Sequence, residues 1–272
     1  VRVTSRNAAF QQWEAMLTNR RKRTQLRQLL VQGVRPVSVA LESPLEVVAV
    51  LHDDRRDPSQ WAREAVARAV GRGAEQYTLS AELLAELAEQ EQDRPEVVLV
   101  VAQPADDLAR LPAGPDLLAV VLDRPTSPGN VGSIARSVDA FGGSGLVVCG
   151  HACDPYEPRA VRASTGSALT VPTVRLGSPY EVLAWVEDLR SRLGWVQVVG
   201  TDEDGPVELA DADLTAPTVV VTGNETRGLS AAWREICDVM VHIPITGTAS
   251  SLNAANATSV VLYEASRQRR RA

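Results

Sequence analysis

The feature that most constrains this chain is a series of five short apolar segments, at 117–122, 145–149, 195–200, 218–222 and 239–243, separated by stretches of helical periodicity. Segments this short and this continuously apolar suit strands buried on both faces. Their alternation with helices predicts an α/β unit built on a mostly parallel sheet. The helices are expected at 130–141, 178–193, 229–237 and 252–267. The second opens on Ser178-Pro179-Tyr180-Glu181, a capping box with proline at the first helical position. Val182, Trp185, Val186, Leu189 and Leu193 then form one apolar stripe.

A smaller α/β unit precedes it. Phe10, Trp13, Leu17 and then Leu26, Leu29 and Leu30 recur at helical spacing around the basic cluster Arg20-Arg21-Lys22-Arg23. An apolar run at 47–51, a helix at 58–70, an extended piece at 76–79, a helix at 80–91 and a buried strand at 97–102 follow. Leu111-Pro112-Ala113-Gly114-Pro115 has the composition of a linker, which sets expected domains of 1–110 and 117–272.

The net charge of −6 conceals an uneven distribution. Residues 1–36 hold eight basic residues and one acidic, and the last six hold four basic and no acidic residue. The stretch between carries 33 acidic against 16 basic residues. Basic ends on an acidic body fit a polyanion partner, and they fit a solvated tail equally well.

Three cysteines, an odd number, argue against a disulfide framework and fit a reducing cytoplasm. Cys149-Gly150-His151-Ala152-Cys153 lacks a second ligand pair nearby, so a buried Cys149 ending a strand is expected, and no metal. No apolar run reaches the ~18–20 residues of a membrane span, and the polar, basic start lacks a secretory apolar core.

Ligands of open α/β sheets sit beyond the carboxyl ends of the strands, and three such ends carry unusual residues. After the first strand comes a loop with Asn130 placed to cap a helix, Gly132 in its first turn and Arg136 in its second. Free N–H groups there form an anion site, and Arg136 could clamp a phosphate. After the fourth strand, Thr222 runs into Gly223-Asn224-Glu225-Thr226-Arg227-Gly228, whose glycines let the backbone bend around a small ligand beside a carboxylate. After the fifth, Ile243 to Asn253 supplies hydroxyls and amides with few bulky groups, ahead of a helix small or apolar on nearly every face. A terminal helix of that kind points to a subunit interface.

In this order the three loops resemble the signature motifs of the SpoU (TrmH-like) branch of the SPOUT RNA methyltransferases. The family's Asn-x-Gly with a later Arg and Phe-Gly is met by Asn130, Gly132, Arg136, Phe141 and Gly142. Its Gly-Asn-Glu-x-x-Gly is met by Gly223, Asn224, Glu225 and Gly228. Its Ile-Pro-Met-x-Gly and Ser-Leu-Asn are met by Ile243, Pro244, Gly247, Ser251, Leu252 and Asn253, with Ile245 in place of the methionine. Ala254-Ala255-Asn256 departs from the common Val-Ser-Val. The resemblance covers about residues 117–266. Residues 17–35 are similar to the basic entry of the ribosomal-protein-like RNA-binding domain of many rRNA-modifying members.

The resemblance implies a C-terminal α/β knot (a deep trefoil), an obligate homodimer with its active site at the interface, and S-adenosylmethionine as methyl donor to a ribose 2′-hydroxyl. It implies that Thr222, Gly223, Asn224, Ile243, Ile245, Gly247, Leu252 and Asn253 hold the cofactor. Arg136 would activate the hydroxyl, with Asn130, Glu225, Ser251 and Asn253 organising the site. Arg20, Arg21, Lys22, Arg23 and Arg27, with Arg136, would meet the RNA. The implied substrate is 23S ribosomal RNA, with resistance to a ribosome-targeting antibiotic such as avilamycin as the consequence. Arginine is no base at neutral pH, so a substrate phosphate could relay the proton or Arg136 could act by charge alone. The alternatives are a tRNA ribose methyltransferase and a non-catalytic RNA-binding protein. A nicotinamide-dependent oxidoreductase would need the G-x-G-x-x-G fingerprint that is missing here.

Overall fold

The computed structural model describes residues 1–53, 57–88 and 94–271, in two compact units. The first contains Val1–Pro104 and Tyr156–Thr170, and the second Ala105–Pro155 and Val171–Ala272. The segment 156–170, expected in the second unit, thus packs with the first.

In the first unit, strands β1 (Arg2–Val3), β2 (Gln28–Gln32), β3 (Val47–Asp53), β4 (Glu75–Leu79) and β5 (Val97–Ala102) form a mixed sheet in the order β1-β4-β3-β5-β2. Helices α1 (Ala8–Thr18), α2 (Arg20–Leu26), α3 (Val34–Glu42), α4 (Gln60–Gly71) and α5 (Ala81–Glu86) accompany it. The helix expected at 80–91 ends by Glu86, and its residues 89–91 lie outside the described chain.

The helical periodicity of Leu26, Leu29 and Leu30 misled. Arg27 takes a left-handed conformation at φ 51° and stops α2, and β2 then pairs antiparallel with β5. Leu29 and Val31 enter the core on one face of the sheet and Leu30 the core on the other. Three consecutive buried residues dividing between two faces follow a period of two, which a helix does not satisfy.

The second unit carries seven parallel strands in the order β10-β12-β9-β11-β6-β7-β8. In chain order come β6 (Leu118–Asp123), α6 (Pro128–Ala140) and β7 (Gly145–Cys149). Helices α7 (Pro158–Ala163) and α8 (Ser167–Thr170) follow and belong to the first unit. The second unit resumes with β8 (Thr173–Leu176), α9 (Pro179–Leu193), β9 (Gln197–Thr201), β10 (Val207–Glu208), β11 (Thr218–Thr222), α10 (Ala231–Ile236), β12 (Val239–His242) and α11 (Ala254–Arg269). Strands β6, β7 and β11 are buried at every position, as an all-parallel sheet covered on both faces requires. Val182, Val186 and Leu189 of α9 and Trp233 of α10 pack with Val121, Val147 and Val219 on one face. Helices α6 and α11 pack on each other and on the sheet.

The Ser178 capping box is present as expected, and Cys149 ends β7 fully buried, its thiol pushed up to about 12 by burial. Among the described residues no helix is long and apolar enough to cross a membrane.

Candidate active site

The carboxyl ends of β6, β9, β11 and β12 open on one edge of the parallel sheet, and the three motif loops leave from there. Helix α6 starts earlier than expected. Ser127 caps it, accepting from the N–H of Asn130 at 3.3 Å, and Pro128 takes the first turn. Asn130 is therefore not the cap, and its side chain is released for another task. The Ser127-Pro128 pair is the signal that marks the true start.

The carboxylate of Glu225 joins the first two motifs. One oxygen accepts from the N–H and hydroxyl of Thr126 at 3.2 and 3.0 Å. The other accepts from the N–H of Ser127 at 3.3 Å and the side-chain amide of Asn130 at 3.1 Å. Burial opposes the charge, but the bonds from its own N–H, Asn130 and Thr126 outweigh it and hold the Glu225 pKa below its ordinary value. The third motif closes the chain: Asn253 donates its side-chain amide to the Asn130 side-chain carbonyl at 3.1 Å. Asn253 also caps α11, accepting from the N–H of Ala255 at 2.9 Å.

Glycine at 223 has a steric cause. A Cβ there would lie 2.5 Å from the carbonyl carbon of Gly228 and 2.6 Å from the nitrogen of Leu229. Asn224 and Gly228 bond to each other through both backbone pairs, at 3.0 and 2.9 Å. The side-chain oxygen of Asn224 takes the N–H groups of Thr226 and Arg227, so this side chain shapes the loop. Thr222 is likewise committed, its hydroxyl lying 2.8 Å from that of the fully buried Thr258 on α11.

The second and third of these loops border a cleft of about 430 Å³. Its walls include Thr222, Gly223, Asn224 and Glu225, then Ile243, Ile245, Ser251 and Leu252, and the acidic turn of Asp202, Glu203 and Asp204. Ile245 and Leu252 are 37% and 40% exposed, unusual for apolar side chains in a folded loop. The backbone of residues 244–252 enters no hydrogen bond among the described residues. The cleft thus presents apolar side chains beside free backbone donors and acceptors, the lining expected of a small-molecule site. Gly247 lies in the same loop but not among the lining residues. A larger cavity of about 580 Å³, bordered by His52, Ala62, Val66 and Gln76, lies in the first unit and holds none of the motif residues.

The profile of the SpoU rRNA methylase family matches residues 117–263, and that of the SpoU L30e-like domain matches residues 7–99. The chain belongs to the SpoU rRNA methylase family. Over 268 residues, 98% of this chain and 92% of the relative, it is 54% identical to the 23S rRNA (uridine(2479)-2′-O)-methyltransferase of Streptomyces viridochromogenes. The crystal structure of the SpoU methyltransferase AviRb from that organism, in complex with the cofactor AdoMet, superposes with a TM-score of 0.92 at 54% identity, covering 97% of this chain and 98% of that one. An AdoMet-bound rRNA methyltransferase from Sinorhizobium meliloti superposes at 0.85 with 29% identity, over 98% of this chain and 97% of that one.

For a SpoU methylase, the placement of Arg136 is informative. It is exposed on α6, its side chain makes no hydrogen bond or ion pair among the described residues, and it does not line the cleft beside Glu225. Ser251 is also exposed, its hydroxyl unpartnered among the described residues.

The basic ends need correction. Arg23 is 1% exposed and donates to the Met16 carbonyl at 2.6 Å, closing α2 onto α1 rather than facing RNA. Arg20, Arg21, Lys22 and Arg27 are exposed. At the other end, Arg269 donates to the carbonyls of Asp116, Leu117, Leu214 and Ala216, and burial lowers its pKa. Arg267 pairs with Glu264 at 2.6 Å. Of the terminal basic cluster, Arg269 is thus a clamp on the fold, while Arg267 pairs within its own helix.

Proposed function

We propose that the protein transfers a methyl group from S-adenosylmethionine to a ribose 2′-hydroxyl of 23S ribosomal RNA, with a uridine as target. The observation that carries this reading is the Glu225–Asn130–Asn253 chain, which ties all three family motifs to the cleft that Glu225 lines. S-adenosylmethionine fits the lining. Ile243, Ile245 and Leu252 suit the faces of a purine, and the free backbone of 244–252 suits its edges and the polar ends of the ligand.

The bound cofactor supplies an activated methyl on a sulfonium sulfur; the protein must align the hydroxyl and dispose of one proton. Glu225, fully occupied by four donors, serves as a strut between loops and not as the base. Arg136, a free cation, stabilises negative charge growing on the ribose oxygen or holds an adjacent phosphate. Arg20, Arg21, Lys22 and Arg27 anchor the RNA backbone.

The same reading makes the active enzyme a homodimer carrying the family's trefoil-knotted C-terminus. Val260 and Tyr263 of α11 are 39% and 51% exposed, and Tyr263 packs edge-on against Phe141 at 6.1 Å, an apolar face suited to a second copy. Arg136 of one protomer then serves the cleft of its partner. The cellular setting is the cytoplasm, and antibiotic resistance follows where the modified nucleotide lies in a drug site.

Incubation with labelled S-adenosylmethionine and separate 23S rRNA, 16S rRNA and tRNA pools tests the substrate. Label in 23S rRNA alone is expected; label in tRNA would favour the tRNA enzyme instead. Binding of 23S rRNA without transfer to any pool would favour the non-catalytic reading.

A further inference from the structure

One residue outside the family motifs stands at the root of both loops that meet at Glu225. Arg124 follows the last residue of β6 and adopts φ 51°, one of three non-glycine residues with positive φ among those described. A left-handed backbone strains any residue with a Cβ, and glycine would occupy the position freely. Strain retained at such a point directs attention to what the side chain does there.

The Arg124 guanidinium forks onto Asp123, with Nε on one carboxylate oxygen and Nη2 on the other, both at 2.9 Å. Asp123 is 2% exposed, and it accepts the N–H of Ser230 at 2.8 Å. Nη2 of Arg124 also reaches the Gly228 carbonyl at 3.5 Å. Its own carbonyl accepts the Asn224 side-chain amide at 2.7 Å, and its N–H donates to the Cys149 carbonyl at 2.9 Å. Gly150 leaves room for this side chain, since a Cβ there would lie 2.9 Å from Arg124 Cγ.

The Arg124 backbone carbonyl therefore holds the 223–230 loop at its start, through Asn224, and the Arg124 side chain holds its end, directly at Gly228 and through Asp123 at Ser230. The loop cannot drift from β6 without breaking a charge-assisted fork. Glu225 sits between the anchored points, and Thr126 and Ser127, two of its partners, lie two and three residues beyond Arg124. We propose that Arg124 is a positioning residue: from β6 it fixes the Gly223–Gly228 wall of the cleft and the Glu225 carboxylate within it, and so tightens cofactor binding. This rests on the reading of the cleft as the S-adenosylmethionine site.

The test uses the full chain as wild type, Arg124→Gly and Arg124→Lys, with calorimetric S-adenosylmethionine titration, melting temperature and amide hydrogen exchange of residues 224–230. Arg124→Gly relieves the backbone strain but leaves the buried Asp123 carboxylate without its cation, so its melting temperature falls below that of the wild type. Its dissociation constant for S-adenosylmethionine rises on the order of tenfold and exchange quickens in 224–230 alone. Arg124→Lys keeps the charge without the fork and falls between the two. Unchanged affinity in Arg124→Gly overturns the proposal. So does weakened binding that comes with faster exchange throughout the unit, because the residue would then be merely structural. If Arg124→Gly does not fold, Arg124→Lys decides alone, and wild-type affinity there overturns the proposal. Wild-type protein that binds no S-adenosylmethionine defeats the reading of the cleft instead.

Discussion

Asn253 reaches back 123 positions to donate its side-chain amide to Asn130, whose own amide donates to Glu225. Each asparagine thus uses its side chain to join two loops that leave different strands. Asn130→Ala breaks both links and Asn253→Ala only the second. For partly exposed bonds each loss costs about 0.5–1.5 kcal/mol. Asn253→Ala also removes the cap on α11, so the double variant is expected to lose what Asn130→Ala loses plus that cap alone, less than the sum of the two single losses, a non-additivity that urea denaturation of all four proteins will show. Strictly additive losses would mean the two bonds act independently.

Gly223→Ala meets backbone, not a flexible side chain, with its Cβ 2.5 Å from Gly228. The loop must open to admit the methyl group, at a cost of about 1–3 kcal/mol. Denaturation and cofactor titration should both register it, with lowered stability and binding weakened at least as much as in Asn253→Ala. A variant with wild-type stability would show that the loop has slack the structure does not contain.

Much of this was legible in the sequence. The parallel sheet followed from the length and continuity of its apolar runs, and the motif order pointed to the loops that meet. What stayed hidden were features set by partners distant in sequence. Leu29 and Leu30 suit a helix or a strand until β5 offers hydrogen bonds. Arg269 looks like an RNA ligand by charge, yet it satisfies carbonyls that only the fold brings near. The segment 156–170 contributes Tyr156, Val161 and Leu169 to the first unit's core, against all local signals of a single C-terminal domain. Asn130 was mistaken for a cap because asparagine favours that position, while Ser127 before Pro128 was the better candidate.

Protonating Glu225 removes the negative charge and turns one of the two oxygens that accept from Thr126, Ser127 and Asn130 into a hydroxyl. Its pKa in the folded protein lies below the ordinary 4.5. A depressed folded value contributes stability above the unfolded pKa, and that contribution is lost as pH falls through the folded value. Glu225→Gln should therefore be less stable than wild type near neutrality, with the gap narrowing below pH 4.5. Melting temperatures measured from about pH 7 to pH 3 check this. A gap that stays constant across that range would contradict the role of the charge.

Arg136 lies away from the cleft of its own chain. Co-expression of Arg136→Ala protomers with Glu225→Gln protomers tests whether it serves the partner. Each variant alone should be inactive. The mixture should recover about a quarter of the wild-type rate, because half the dimers are mixed and each carries one intact site. No recovery would place Arg136 and Glu225 in the same protomer's site.

The central claim is ribose methylation, and the position of the transferred methyl tests it most directly. A 2′-O-methyl group removes the nucleophile that cleaves RNA in alkali. Label transferred from S-adenosylmethionine to 23S rRNA should survive alkaline hydrolysis in a dinucleotide with uridine on its 5′ side, and Arg136→Ala should abolish it while cofactor titration stays near wild type. Label released in ordinary mononucleotides would place the methyl on a base and contradict the account.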